Sequence, residues 1–188
     1  ECHIAASIHA KMFATDDLHW ANGRPCAVAL SGDMTLRPLL ASRDTLDMAL
    51  SYYPQQRTIV ICDFSGLNEP EMTKRRPAVV VSPRFRSRVG LCTIIPFSTT
   101  PPRPVEPFHY KLPMTPCLPE PYSAEIQWVK ADMLYTMSLD RLSLPYCRSS
   151  ETGKRINDIR LVPEGDFLEI QRCLLHAIGL SALTALLG

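Results

Sequence analysis

Residues 57–82 read RTIVICDFSGLNEPEMTKRRPAVVVS, and the fold is decided by how that stretch divides. Arg57 to Phe64 and Pro77 to Ser82 are short runs dominated by β-branched and apolar residues, the composition of strands. Between them, SGLNEPEMTKR carries the glycine, asparagine, proline and charges that resist regular structure. Two strands joined by a loop follow. PAVVVS is a continuous apolar run, which places its strand centrally, covered on both faces.

Outward from this stretch the same grammar continues. The basic turn PRFRSRVG leads into a third run, Leu91 to Phe97 (LCTIIPF), also central by its unbroken apolarity. Nine of the 17 prolines fall between Pro96 and Pro121, which excludes a helix or central strand except over the short piece FHYKL, so the segment reads as a loop wrapping the sheet. Glu125 to Lys130 (EIQWVK) alternates in strand fashion, and MLYTMS continues extended to Asp140, Arg141 and Leu142. From Glu164, Phe167, Ile170, Leu174 and Ile178 recur at helical spacing behind Pro163 and the first-turn acids Glu164 and Asp166. The expected class is mainly β, a curved antiparallel sheet of about five to six short strands with one C-terminal helix.

Residues 1–47 hold six acids and four bases with no sustained period of 2 or 3.6. They read as an N-terminal extension, poorly structured or upstream of a natural start at Met48, leaving 48–188 as the domain. The 188-residue chain is 46% hydrophobic and 21% charged, which excludes collagen-like and wholly disordered classes. Its seven cysteines are scattered without a Cys-x-x-Cys pair, and several lie in apolar runs. That pattern argues against zinc and for a reducing, cytoplasmic location. The first 30 residues hold no apolar run of signal-peptide length, and the most apolar stretch, LLHAIGLSALTALLG, is 15 residues broken by His, Gly, Ser and Thr, so neither a secretion signal nor a membrane span is expected.

A net charge of +1 gives no global case for a polyanionic partner, so local clustering decides. Lys74, Arg75, Arg76, Arg84, Arg86 and Arg88 stand against Glu69 and Glu71 on the loops flanking PAVVVS. This is the footprint of a phosphate-backbone binder, and equally of a solvated loop with surface ion pairs. Tyr52, Tyr53, Phe64 and Phe85 are nearby aromatics able either to stack on unpaired bases or to join the core.

IVICDFSGLNEPEMTKRRPAVVVSP, then CTIIPFSTTP, then WVKADMLYTMSLDRL together resemble the MazF/PemK family of bacterial toxin–antitoxin toxins. The resemblance runs over residues 57–182. It implies an SH3-like barrel of the plasmid-maintenance-toxin type, a homodimer, a cognate antitoxin, and a sequence-selective endoribonuclease acting on single-stranded RNA without metal or cofactor. In such chemistry the ribose 2′-OH attacks the adjacent phosphate and leaves a 2′,3′-cyclic phosphate and a 5′-OH. The protein supplies a base, an acid and positive charge.

By the same resemblance, Arg76 matches the arginine of the family's Arg-Pro pair, whose fork suits phosphoryl oxygens. Ser98 stands where the family has threonine, and with Thr99 beside it either hydroxyl is a candidate for the scissile phosphate. Asp132 matches a proposed general base and Lys130 an arginine. A spacing of two sets this pair on one face of an extended strand, where it also fits an ordinary ion pair. Glu71 matches an acid of the RNA-contacting loop; the local excess of charge, rather than the resemblance, makes Lys74, Arg75, Arg84 and Arg86 further candidate RNA contacts. Asp63 is expected to organise the loop, His109 is a weaker acid–base candidate, and His176 reads as a core or interface residue. The alternative is a non-catalytic barrel toxin that binds a protein target such as DNA gyrase.

Overall fold

The computed structural model describes residues 49–84 and 86–187; the expectations for residues 1–47 and for Phe85 lie outside them. The elements in order are β1 (Ile59–Cys62), β2 (Arg76–Val80), β3 (Leu91–Ser98), β4 (His109–Pro113), β5 (Ile126–Lys130), β6 (Tyr135–Ser138), β7 (Leu142–Ser143), β8 (Tyr146–Arg148), β9 (Arg155–Asn157) and helix α1 (Glu164–Ala177). The main sheet runs β4-β5-β3-β2-β1-β7, with β6 also on β3, while β8 and β9 form a separate hairpin. Every ladder is antiparallel.

Strand β3 organises the bend. On one edge its first half pairs with β6, Leu91 opposite Ser138 through Ile94 opposite Tyr135, and its end pairs with β5, Phe97 opposite Val129 and Ser98 opposite Trp128. Its other edge holds β2, Ala78 opposite Pro96. No ladder joins β4 to β7 among the described residues, so the barrel-like sheet is strongly curved and open between those strands. Its architecture is the expected one, mainly β, with one α-helix among the described residues, C-terminal to the strands.

Alternation gives the sheet two buried faces. Ile59, Val79, Ile95, Phe97, Leu112 and Val129 pack against Phe167, Ile170 and Cys173 of α1. Val60, Cys62, Ala78, Val80, Cys92 and Ile94 face the other way and meet Phe64, Met72, Met137 and Leu142. This two-sided burial is why the runs at β1, β2 and β3 are unbroken rather than alternating.

Two contacts seat the helix. The Tyr110 hydroxyl donates to Asp166 Oδ1 at 2.6 Å, tying β4 to the first turn, and Arg57 Nε donates to the Val162 carbonyl at 2.8 Å. Arg57 holds φ +77°, an uncommon conformation for a residue with a side chain, stabilised by its backbone bonds to Val80 and Val162. The apolar stripe expected of the helix holds for Phe167, Ile170 and the partly buried Leu174, but not for Ile178. The helix stops one residue earlier, Gly179 turns the chain at φ +76°, and Ile178 is 53% exposed.

Candidate active site

Because side chains alternate across a strand, the residues opposite the helix-facing core share one face. On β2 that face carries Arg76 ahead of Ala78 and Val80. On β3 it carries Ser98 after Ile94 and Pro96, on β5 Trp128 and Lys130, and on β4 His109 and Lys111. Arg76 and Ser98 each lie two residues past the last β2–β3 ladder pair, Ala78 with Pro96. Ser98 is ladder partner to Trp128, and Lys130 to His109. The apolar sheet therefore becomes polar at this one end.

Arg76 is partly buried at the root of the β1–β2 loop. Its Nε is shielded from water and has no hydrogen-bond partner among the described residues. A surface pairing with Glu71 is one account of this arginine, but the Glu71 carboxylate instead accepts the Asn68 amide at 3.2 Å. Glu71, Lys74 and Arg76 line one cavity of about 540 Å³ together with Met72 and Thr73. Loop geometry is fixed from below. Asp63 Oδ1 accepts the Ser65 amide at 2.9 Å, and Arg141 donates to the carbonyls of Asp63 and Ser65 at 3.1 and 2.8 Å. Burial raises the Asp63 pKa, but its bonds to Ser65 and the charges of Arg75 and Arg141 outweigh that and hold it below the ordinary value.

Ser98 is buried, and its Oγ accepts the Thr100 amide at 3.2 Å, whereas Thr99 is exposed just beyond the strand. Asp132 does not extend β5. The strand ends at Lys130, a turn closes with the Met133 amide on the Lys130 carbonyl at 3.0 Å, and the Lys130–Asp132 pairing on one extended strand gives way to a different partner. Asp132 Oδ1 lies 3.8 Å from His109 Nε2. The imidazole is 8% exposed and accepts the Glu106 amide at Nδ1, 3.0 Å, which leaves the proton of the neutral ring on Nε2, toward the carboxylate.

The expected basic surface is divided by β2. Arg75 turns to the opposite side from Arg76, where Nη2 donates to Ser143 Oγ at 3.4 Å. Arg84 and Arg86 lie past the other end of the strand with Arg88, lining a separate cleft. Phe64 is fully buried against Tyr135 at 5.1 Å between ring centroids, which removes it from any stacking role. His176 is partly buried on α1 beside Glu169 and Arg172. Trp128 and Lys111 join the polar face without having been singled out; the alternation of EIQWVK and FHYKL was the available signal. Among the described residues, no three His, Cys, Asp or Glu side chains gather to hold a metal, and no helix is long and apolar enough to cross a membrane.

Residues 55–178 match the family described as PemK-like, MazF-like toxin of type II toxin–antitoxin system. The chain belongs to this family. Solved structures similar to it include MazF from Deinococcus radiodurans, at 20% identity and TM-score 0.47, covering 68% of this chain and 98% of that one. An endoribonuclease in complex with its cognate antitoxin from Mycobacterial species gives 19% and 0.46, covering 68% and 97%. Mycobacterium tuberculosis toxin MazF-mt6 gives 16% and 0.42, covering 66% and 98%. No curated protein matches the sequence at a significant level. For a PemK/MazF-like toxin, the match spans β1 through α1 and so includes every residue of the polar face.

Proposed function

We propose that the protein is the toxin of a type II toxin–antitoxin pair and acts as a sequence-selective, metal-independent endoribonuclease on single-stranded RNA, using the polar face as its active site. The observation that carries this reading is Arg76 Nε, buried and without a hydrogen-bond partner among the described residues. A guanidinium donor kept from water without a partner costs about 1–3 kcal/mol, and a phosphoryl oxygen is the acceptor its fork fits best. Family membership and the His109–Asp132 pair support the same reading.

In this mechanism the ribose 2′-OH attacks the neighbouring phosphate, so no protein nucleophile is required. Asp132 takes the 2′-OH proton, and Arg76 stabilises charge on the phosphorane. Lys130 donates a proton to the departing 5′ oxygen as its bond to phosphorus breaks, giving the 5′-OH, and solvent returns Lys130 and Asp132 to their starting states; Ser98 or the more accessible Thr99 contacts a non-bridging oxygen. Glu71 and Lys74, lining the cavity with Arg76, contact adjacent nucleotides. A cognate antitoxin and a second copy of this chain are the proposed partners. The apolar residues exposed beyond α1, among them Ile178, Leu180, Leu183 and Leu186, fit burial in such assemblies. The proposed setting is the cytoplasm.

The test incubates the full chain and its Arg76→Ala variant with a long single-stranded RNA in EDTA and identifies the fragment ends. Discrete cuts bearing 2′,3′-cyclic phosphate and 5′-OH, absent in the variant, are expected. Intact RNA from folded parent protein overturns the reading in favour of a toxin that acts by binding alone.

A further inference from the structure

We propose that the cleft between the β2–β3 turn and the segment before β1 is a second contact surface for single-stranded RNA, separate from Arg76; this rests on the endoribonuclease reading. The cleft encloses about 850 Å³ and is lined by Tyr52, Tyr53, Arg84, Arg86, Arg88 and Leu139, with no carboxylate among the described residues that line it. All three arginines are exposed, and none makes an ion pair or side-chain hydrogen bond with a described residue. Three like charges within five residues repel one another, and a polyanion removes that repulsion.

The aromatic wall favours a nucleic acid over other anions. The Tyr53 hydroxyl bonds Ser82 Oγ at 2.8 Å and the Pro83 carbonyl at 2.9 Å, and Ser82 Oγ accepts the Thr93 amide at 3.0 Å, so this side of the cleft is fixed to β3. Tyr52 beside it is 49% exposed. Guanidinium groups with tyrosine rings serve phosphates and the faces of unpaired bases together, without reading sequence. Ser82 lies six residue-to-residue steps along the chain from Arg76, roughly 20 Å at about 3.3 Å per step of extended backbone. The cleft therefore engages nucleotides remote from the one being cut, and its effect grows with substrate length.

The experiment measures binding of a fluorescent single-stranded RNA of about 20 nucleotides across a salt series, in the Arg76→Ala background to prevent cleavage; replacing the three arginines by alanine is expected to reduce the log–log salt slope by about 2. With Arg76 intact, the same triple replacement is expected to raise KM for that RNA about tenfold or more, and progressively less for shorter ones, since each lost contact is sequence-independent. Replacement by lysine keeps the charge and restores the slope, which separates loss of contact from loss of fold. An unchanged slope with alanine overturns the proposal. So does a triple-alanine variant that loses affinity for poly-glutamate but keeps it for RNA, which assigns the cleft to an acidic protein. Cleavage by the parent chain tests the endoribonuclease reading independently of the slope.

Discussion

His109 and Asp132 meet at 3.8 Å, Nε2 to Oδ1, across the turn that ends β5, while the other imidazole nitrogen is already occupied by the Glu106 amide. The ring is thereby oriented from behind and can only address the carboxylate. If Asp132 is the general base, His109 is its positioning residue. Asp132→Asn is expected to lower single-turnover cleavage by about 10²- to 10⁴-fold, the range of a positioned acid or base. His109→Ala should cost about tenfold and alter the acid limb of the pH–rate profile, with partial recovery in His109→Gln. An unaltered profile in His109→Ala removes the imidazole from the reaction.

Arg76 separates chemistry from stability. Its Nε has no partner among the described residues to lose, so Arg76→Met is expected to leave the unfolding midpoint unchanged or slightly raised. Cleavage in the same variant should fall by about 10²-fold or more, as for loss of a donor to a developing charge. Arg76→Lys keeps charge without the fork and should recover little. Denaturant titration beside single-turnover kinetics reads both effects.

Asp63 gives the β1–β2 loop a pH dependence of known sign. Its pKa is lowered in the folded protein, because the Ser65 bonds with Arg75 and Arg141 overcome burial. The stabilisation is therefore complete above the unfolded value of about 4 and is lost as pH falls through the folded value. Asp63→Asn should be less stable than the parent from neutral pH down to about pH 5, and the difference should shrink below about pH 4. A constant gap across that range contradicts the assignment.

Burial pushes the Cys62 thiol up to about 12 and those of Cys92 and Cys173 to about 11, from an ordinary 9.0. Brief alkylation near pH 8, followed by peptide mapping, is expected to label the exposed Cys147 and to spare these three. The unfolded chain ionises first as pH rises past 9.0, so stability falls there while the folded thiols remain protonated.

Phe97 and Ile170 sit fully or almost fully buried where β3 meets α1. Phe97→Ala is expected to cost about 3–5 kcal/mol and Ile170→Ala about 2–5 kcal/mol, read from urea midpoints. Since Phe97 is flanked by Ser98, its loss should also impair cleavage.

Strands β1 to β3 were legible because two-sided burial writes unbroken apolar runs, and α1 because Phe167 and Ile170 share its buried stripe. FHYKL emerged from the proline-rich stretch as β4 because an edge strand tolerates proline around it. The β8–β9 hairpin escaped notice since Cys147 and Ile156 are both exposed and nothing alternates. At the candidate site, single residues were readable and their grouping was not. One basic cluster in sequence became three places in space, because β2 runs through it and turns neighbouring arginines to opposite sides. The partner of Asp132 was hidden for a similar reason: a turn, not a strand, presents it to His109.

On the proposed mechanism, that opposition of Arg75 and Arg76 makes activity sensitive to the register of β2 rather than to the length of the loop before it. The loop before them is irregular and absorbs an added or missing residue at little cost, provided that β2 keeps its register. A deletion that instead propagates into the strand exchanges the two faces, presenting Arg75 to the reaction and turning Arg76 toward Ser143. Both arginines would still be present, and a count of charges would detect no change. Indel variants of this loop should accordingly divide into those that retain full toxicity and those that are harmless, with few between.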